Sequence, residues 1–194
     1  MKPVIIIDND SLVNLTQLSK FNIFNLLRSV FKQILIPEKV RIEYEKQRLK
    51  EPQREFILKK LRPNEGFWAL CTRYDTLSST LLYGYKDIHE GEAEIISQSE
   101  KTGIKLIISD DIRFKNACNK LNKPVWIYNT LFLLAVIDLH GFIQDDTSIF
   151  AKMYKTRPFK HDDLIFAYKE AARFFGLALK PFKISRKTYK KIII

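Results

Sequence analysis

Short apolar runs alternate with longer stretches of mixed polar and apolar residues along the first 144 positions. The apolar runs predict buried strands at "VIII" (4–7), "QILI" (33–36), "FWALCT" (67–72), "IKLIIS" (104–109) and "PVWI" (124–127). Helical periodicity predicts helices from about residue 11, over 21–31, in the charged stretch after 37, and over 91–103, 113–121 and 130–141. This alternation indicates an α/β/α three-layer domain with a mostly parallel central sheet.

The chain after residue 145 differs in composition from the part before it. It holds a further amphipathic helix, "HDDLIFAYKEAARFFG", and a lysine-rich end. Residues 151–194 contain twelve Lys and Arg against three Asp and Glu, so they carry +9 of the total net charge of +11. We therefore expect one α/β domain over residues 1–145 and a small basic helical extension over 146–194. A basic segment of this kind favours a polyanionic partner, nucleic acid before membrane.

Two further features concern where the protein resides. The longest apolar run, "LFLLAVI", is far shorter than the roughly 20 residues of a membrane helix, and "VIII" stops at Asp8. Cys71 and Cys118 lack CxxC spacing and are expected to be reduced core thiols. The sequence therefore predicts a cytoplasmic protein with no membrane partner.

Acidic residues follow two of the predicted strands. Asp8 comes directly after "VIII", and Asp110 and Asp111 come after "IKLIIS". In parallel sheets, function collects at the carboxyl ends of the strands. Each of these residues is also a good helix N-cap, so position alone leaves both interpretations open.

Two glutamates on predicted helices are candidates for the same site. Glu92 shares a helix face with Ile95 and Ile96, where an unpaired carboxylate is costly, whereas Glu94 aligns with Gln98 and Lys101 and is expected to face solvent. Glu43 follows Val40 on one side of the helix after "LIPEKV", but spacing alone does not separate it from Glu45.

The convergence of Asp8, Glu43, Glu92 and Asp111 would require a cation. Two carboxylates about 4 Å apart repel each other by roughly 4 kcal/mol at an effective dielectric constant near 20. Hard oxygen ligands without His or Cys at ligand spacing favour Mg²⁺ or Mn²⁺ over zinc. Such a site is suited to phosphate chemistry.

The chain resembles the PIN-domain nucleases, specifically the VapC-like branch of toxin–antitoxin modules, in order over residues 3–144. The resemblance rests on "VIIIDNDSLVNL", "ILIPEKVRIEYEK", "GEAEIISQSEKTG", "LIISDDIRF" and "PVWIYNTLFLLAVIDLHGFI". It implies that Asp8, Glu43, Glu92 and Asp111 are the catalytic acids, and it selects Glu43 over Glu45. It places Asp110 beside them as a further metal ligand.

The resemblance also implies the rest of the function. It implies a Mg²⁺- or Mn²⁺-dependent ribonuclease of the toxin type, acting on RNA before DNA, with a homodimeric assembly and an antitoxin protein as partner. Thr130 would cap a helix near the site. Asp10 stands where the family has a small hydroxyl residue, so it either joins the metal shell or caps the first helix.

The basic end supplies the predicted RNA contacts. These are Lys183, Arg186, Lys187, Lys190 and Lys191. Phe182 and Tyr189 are interleaved with them and are expected to stack on unpaired bases. The opposing interpretation makes residues 160–194 a structural cap or dimer element.

Two other function classes fit parts of the sequence. "IIIDNDSL" also resembles the opening motif of haloacid-dehalogenase-type phosphatases, which would make Asp8 a nucleophile and Asp10 the acid/base. That alternative leaves Glu92 and "IPEKV" unexplained. A PIN-like fold that only binds RNA is the third class, and four retained acids argue against it because they repel the phosphate backbone.

Overall fold

A computed structural model of the chain describes residues 2–47, 55, 57–63, 65–71, 88–143, 146–179 and 181–193, without the side chains at positions 146 and 182. The strands are β1 Val4–Ile7, β2 Gln33–Pro37, β3 Arg62–Pro63, β4 Trp68–Cys71, β5 Leu106–Ile108 and β6 Trp126–Tyr128. The first α-helices are α1 Asn9–Gln17, α2 Ile23–Val30, α3 Glu38–Glu45, α4 Glu90–Thr102, α5 Ile112–Lys120 and α6 Thr130–Leu139. Those that follow are α7 Asp146–Thr156, α8 His161–Phe175 and α9 Arg186–Ile193.

The strands form one parallel sheet in the order β3-β4-β2-β1-β5-β6. Ile5, Ile6 and Ile7 are all fully buried, although successive side chains of a strand point to opposite faces. Both faces of β1 are therefore covered, which confirms the predicted α/β architecture. Strand β3 was not predicted, because "RP" is short and polar and gives no periodic signal.

The strand order changes direction at β1. The chain moves outward from β1 to β2 and later returns to place β5 on the other side of β1. Ile7 pairs with Ile108, so Asp8 and Ser109 leave the sheet side by side, and the Asp8 N–H donates to the Ile108 carbonyl at 3.0 Å. A switch point of this kind opens a crevice at the carboxyl ends of its strands.

The helices end and begin close to the predicted positions. Asp8 caps α1, so this helix starts at Asn9 and not near residue 11. Gly103 adopts φ 71° after α4, the left-handed conformation in which glycine readily ends a helix. The charged stretch after residue 37 forms α3 up to Glu45, and its predicted continuation through residues 48–54 lies outside the described part of the chain.

The segment after residue 145 contains more structure than the single predicted helix. Helix α8 packs along α6, and its Leu164, Ala167 and Ala171 are buried in the main core. The Tyr168 hydroxyl donates to buried Asp138 at 2.6 Å. Helices α7 and α9 were missed, and they pack on each other. The basic extension is therefore joined to the sheet domain by apolar packing.

No helix within the described residues is both long enough and apolar enough to cross a membrane. The apolar helix α6 has ten residues and is buried from Thr130 to Leu139 by other parts of the protein.

Candidate functional site

A pocket of about 230 Å³ lies at the carboxyl ends of β1 and β5, beside α3 and α4. Its acidic lining consists of Asp8, Asp10, Glu43, Glu92 and Asp111. Its other lining residues are Asn9, Val40, His89, Gly91, Ile95 and Arg113. The structure thus brings together the four acids selected from the sequence, and Asp10, the further candidate for the metal shell, lies beside them. We call this cavity the acidic pocket.

Asp8 is held in the pocket by both of its carboxylate oxygens. Oδ1 accepts from the Ser11 N–H at 2.7 Å, and Oδ2 accepts from the Ser109 hydroxyl. The side chain is almost completely buried, and burial raises the pKa of Asp8 to about 7 despite these hydrogen bonds. Asp8 is therefore both the N-cap of α1 and a site carboxyl, so the two interpretations of its position are compatible.

Glu43 reaches the pocket from α3 because its neighbour on α4 is a glycine. A Cβ on Gly91 would lie 2.8 Å from Oε1 of Glu43, a contact that side chains do not make. Burial raises the pKa of Glu43, and the negative charge of Asp10 raises it further. Glu45, which spacing could not separate from Glu43, points elsewhere and pairs with Arg41.

Glu92 lies in the first turn of α4 and is half-buried. Its Oε2 accepts from the His89 N–H at 2.7 Å, which satisfies a donor at the start of the helix. Burial raises the pKa of Glu92, the His89 hydrogen bond lowers it, and Asp111 and Glu43 raise it again by repulsion. A nearby cation would lower the pKa of Glu92 and favour its ionised form.

The expectation that Glu94 faces solvent was wrong. Glu94 and Gln98 are both buried, because α4 is covered by the protein around almost its whole circumference. Oε2 of Glu94 accepts from the Lys39 N–H at 2.7 Å. Pro37 precedes α3 and offers no capping side chain, so Glu94 caps α3 from another helix.

Asp111 and Asp110 turn in opposite directions. Asp111 lines the acidic pocket, and its Oδ1 accepts from the Arg113 N–H at 2.7 Å while Oδ2 pairs with the Arg113 guanidinium at 3.2 Å. Burial tends to raise the pKa of Asp111, but the hydrogen bonds from Arg113 outweigh this and lower it. Asp111 is thus the acid of the pocket that most readily stays ionised.

Asp110, predicted as a metal ligand, does not line the acidic pocket. It is buried and accepts hydrogen bonds from the Thr130 N–H at 3.1 Å, the Thr130 hydroxyl, Asn14 at 2.8 Å and Ser11 at 3.2 Å. The Arg157 Nε lies 3.7 Å from Oδ1, and a second nitrogen of Arg157 donates to the Asp110 carbonyl. Asp110 therefore ties α1, α6 and the extension to the end of β5.

Thr130 belongs to this hydrogen-bond network around Asp110 and is not the cap of α6. Asn129 is the N-cap, because its side chain accepts from the Phe132 N–H at 3.1 Å. Thr130 is the first residue of the helix and is fully buried against Asp110. The capping role that the resemblance gave to Thr130 is filled by its neighbour Asn129.

Three residues of the pocket were missed by sequence reasoning: Asn9, His89 and Arg113. Each is a direct neighbour of a selected acid or lies within three positions of one, which is the signal that was available. Asn9 is the most informative, because its Oδ1 is buried and has no hydrogen-bond partner within the described part of the chain. A buried oxygen of this kind is costly unless something binds it.

The donor set of the acidic pocket fits a hard divalent cation. It contains carboxylate oxygens from several elements and the unpartnered Asn9 oxygen, all of them ligand types of Mg²⁺ and Mn²⁺. Among the residues that the structure describes, no three His, Cys, Asp or Glu side chains form a ready-made ligating cluster.

The predicted RNA-binding residues of the extension do not all lie on one surface. Arg186, Lys187, Lys190 and Lys191 are exposed on α9. Lys183 is instead turned inward, where its Nζ lies 3.0 Å from the buried Asp138 carboxylate. The Tyr189 hydroxyl donates to the Phe159 carbonyl at 2.8 Å, and the side chain of Phe182 lies outside the described residues.

Comparison with known proteins gave one match. A family model described as PIN domain matches residues 4–172, which covers the sheet, the acidic pocket, α7 and most of α8. The match thus runs past residue 145, where the sequence had suggested that the resemblance ends. No curated protein and no solved structure matched the chain.

Proposed function

Because the chain belongs to the PIN-domain family, a nuclease-type fold, we propose that it is a divalent-metal-dependent nuclease that hydrolyses RNA. The observation that carries this proposal is the convergence of Asp8, Asp10, Glu43, Glu92 and Asp111 on one pocket at the switch point of the sheet. Family membership sets aside the phosphatase alternative. A cleavage assay with Asp8→Asn distinguishes this nuclease from a PIN fold that only binds RNA.

Each acid has a role that follows from its surroundings. Asp8, Glu92 and Asp111 would hold Mg²⁺ or Mn²⁺, because they come from three parts of the fold and present oxygens to one cavity. When bound, the cation polarises the phosphoryl oxygen and lowers the pKa of a bound water. Glu43 has a raised pKa and stands across the pocket on α3, where it can accept a proton from the attacking water.

The surrounding groups orient these acids. Ser11 and Ser109 fix both oxygens of Asp8, and Arg113 fixes Asp111. Arg113 also places a positive charge at the rim, where it can contact a phosphate oxygen of the substrate. Asp10 is half-buried and its pKa is raised by burial and by Asp110, so it is suited to a further metal contact.

RNA is proposed over DNA because the VapC-like resemblance implies it, and the exposed cations of α9 offer contacts to its phosphates. We further propose the toxin role, with an antitoxin protein as partner and a homodimeric assembly. Light scattering on the purified protein, alone and with the product of the adjacent gene, tests both. If the protein is a monomer in both samples, the proposed antitoxin partner and the proposed homodimer are both contradicted.

The first prediction tests the nuclease function. Asp8→Asn should abolish metal-dependent cleavage of RNA and leave the fold intact, because it removes one buried, repelled carboxylate without changing its shape. Cleavage of a labelled RNA with magnesium is compared between the parent protein and the variant. Asp162→Asn, at an exposed position of α8, serves as the control and should keep full activity. If Asp8→Asn cuts as fast as the parent, the proposed site is incorrect.

A further inference from the structure

A second pocket of about 300 Å³ lies next to the acidic pocket, between the ends of β5 and β6 and the helical extension. Ile127, Leu131 and Met153 are buried in its wall, and Tyr128 stacks there on Phe132 with ring centroids 4.1 Å apart. Its volume is at the lower end of the roughly 300–1,000 Å³ of small-molecule pockets. It is therefore large enough for one small ligand group.

The rim of this pocket carries apolar side chains that are unusually exposed. Ile112 is 64% exposed and Phe166 is 50% exposed, and both border the cavity. They are among the few large hydrophobic side chains in the described part of the chain that face solvent. Exposed apolar residues around a cavity are typical of a surface that another molecule covers.

Cations lie beside the apolar rim. The Lys115 Nζ is 5.4 Å from the centre of the Phe166 ring, and Arg157 lines the pocket with its side chain 42% exposed. Two acids also line the pocket: Asp110 is buried and lies 3.7 Å from the Arg157 guanidinium, and Asp163 accepts from the Lys160 N–H at 2.7 Å. The pocket thus offers an aromatic face next to positive charge, which is how proteins hold a base and its phosphate.

The two pockets border the same turn of the chain. Asp111 lines the acidic pocket, whereas the residues on either side of it, Asp110 and Ile112, line the second pocket. A phosphate at the acidic pocket and a group in the second pocket would therefore lie on either side of this turn.

From this geometry we infer that the second pocket binds one nucleobase of the RNA substrate, stacked on Phe166 with its phosphate near Lys115. This inference rests on the proposed function, since it takes the strand through the acidic pocket to be RNA. It makes the extension part of the substrate site: Phe166 comes from α8 and Lys115 from α5.

The test measures binding separately from cleavage. A short fluorescent RNA is titrated with the full-length protein in metal-free buffer, and an abasic nucleotide is moved along the RNA one position at a time. One abasic position should weaken binding by the parent protein about tenfold, the effect expected when a base no longer stacks on an aromatic ring. Phe166→Ala should weaken binding of the intact RNA by a similar factor and should no longer respond to that abasic position.

Matched controls keep the effect specific. Phe142→Ala removes another exposed aromatic ring, and Lys120→Gln removes another cation of α5; neither should change the abasic profile. Lys115→Gln should weaken binding and lower its salt dependence. Melting temperatures of all variants should stay near that of the parent, because Phe166 is half exposed.

The outcomes separate the two proposals. If RNA is cleaved with magnesium but no abasic position responds differently in Phe166→Ala and the parent, the base pocket is refuted and the nuclease function stands. If the abasic profile depends on Phe166 but RNA is not cleaved with magnesium or manganese, the pocket stands and the nuclease function fails. If the parent protein neither binds RNA nor cleaves it with magnesium or manganese, both proposals are overturned.

Discussion

At the scale of single residues, the acidic pocket combines groups with opposite ionisation tendencies. Burial raises the pKa of Asp8 to about 7, while Arg113 lowers the pKa of Asp111. Asp111 can therefore stay ionised, whereas Asp8 would lose its proton when a cation binds. Metal affinity should rise with pH for this reason.

The raised pKa of Asp8 also predicts how stability depends on pH without metal. Between the usual 3.8 and about 7, the folded protein holds a proton on Asp8 that the unfolded chain releases, so the free energy of unfolding falls as pH rises. Asp10, Glu43 and Glu92 act in the same direction, and Asp111 opposes them. Asp8 alone contributes a slope of up to about 1.4 kcal/mol per pH unit.

Denaturant unfolding in chelator from pH 4 to pH 8 measures this slope. Asp8→Asn should flatten it, and magnesium should restore stability at the upper end. A parent protein whose stability rises steadily over this range would contradict the burial of a protonated Asp8.

Glu92 and Glu94 provide a matched pair on one helix. Glu92→Gln should lower the cleavage rate by about 100-fold or more. Mutation of a residue that only hydrogen-bonds to a metal ligand typically costs roughly 10–100-fold in activity, and a direct ligand should matter at least as much. Glu94→Gln should keep the rate within a few-fold but lower the melting temperature, because it removes the anion at the start of α3. Glu94→Ala should destabilise the fold by about 1–3 kcal/mol.

Rate and melting temperature measured on the same preparations distinguish these roles. A large loss of rate in Glu94→Gln with unchanged melting would place Glu94 in the site and remove it from its capping role.

At the scale of elements, the approach of α3 to α4 decides whether Glu43 reaches the pocket. Gly91→Ala should lower the cleavage rate, because the new Cβ would lie 2.8 Å from Oε1 of Glu43 and would displace that carboxylate. The fold should survive, since the displaced atoms end a flexible side chain and Ala is the better helix former by about 1 kcal/mol. Gly103→Ala is the control for a glycine outside the pocket and should cost stability, not rate, because of its φ of 71°. Full activity of Gly91→Ala would show that the reaction does not depend on this position of the Glu43 carboxylate.

At the scale of the whole molecule, the extension is both packed and charged. Ile192 is buried and Tyr189 bonds to the Phe159 carbonyl, so chain truncation after Gly176 removes packing together with charge. We expect this truncation to lower the melting temperature and to report poorly on RNA binding. The structural-cap interpretation of residues 160–194 thus holds for part of the segment.

Charge substitution separates the two roles of the extension. Replacing Arg186, Lys187, Lys190 and Lys191 together by Gln should leave the melting temperature nearly unchanged, because all four are exposed. RNA binding should weaken and the salt slope should fall by roughly 0.7 for each phosphate that the helix neutralises in the parent protein. Replacing Lys32, Lys59, Lys60 and Lys105 by Gln removes the same number of positive charges outside α9 and controls for net charge alone. An unchanged salt slope in the α9 variant would exclude this helix from the RNA interface.

The sequence by itself determined the features that depend on local pattern. Apolar runs and helical periodicity placed most strands and helices, and the positions of Asp8 and Asp111 close after buried strands indicated the edge of the sheet where the pocket lies. Local periodicity suffices here because each strand or helix buries its own apolar residues, and parallel strands align their carboxyl ends.

The tertiary structure decided which side chains meet. Asp110 and Asp111 are adjacent in sequence, yet one is bound by donors from α1, α6 and Arg157 while the other faces the pocket. Glu94 was expected in solvent because a two-faced helix was assumed, but α4 is covered on nearly all sides and Glu94 caps α3. The reason for a glycine at position 91 is the close approach of Glu43, which lies on another helix. Contacts between distant segments depend on how whole elements pack, and the pattern within one element does not contain that information.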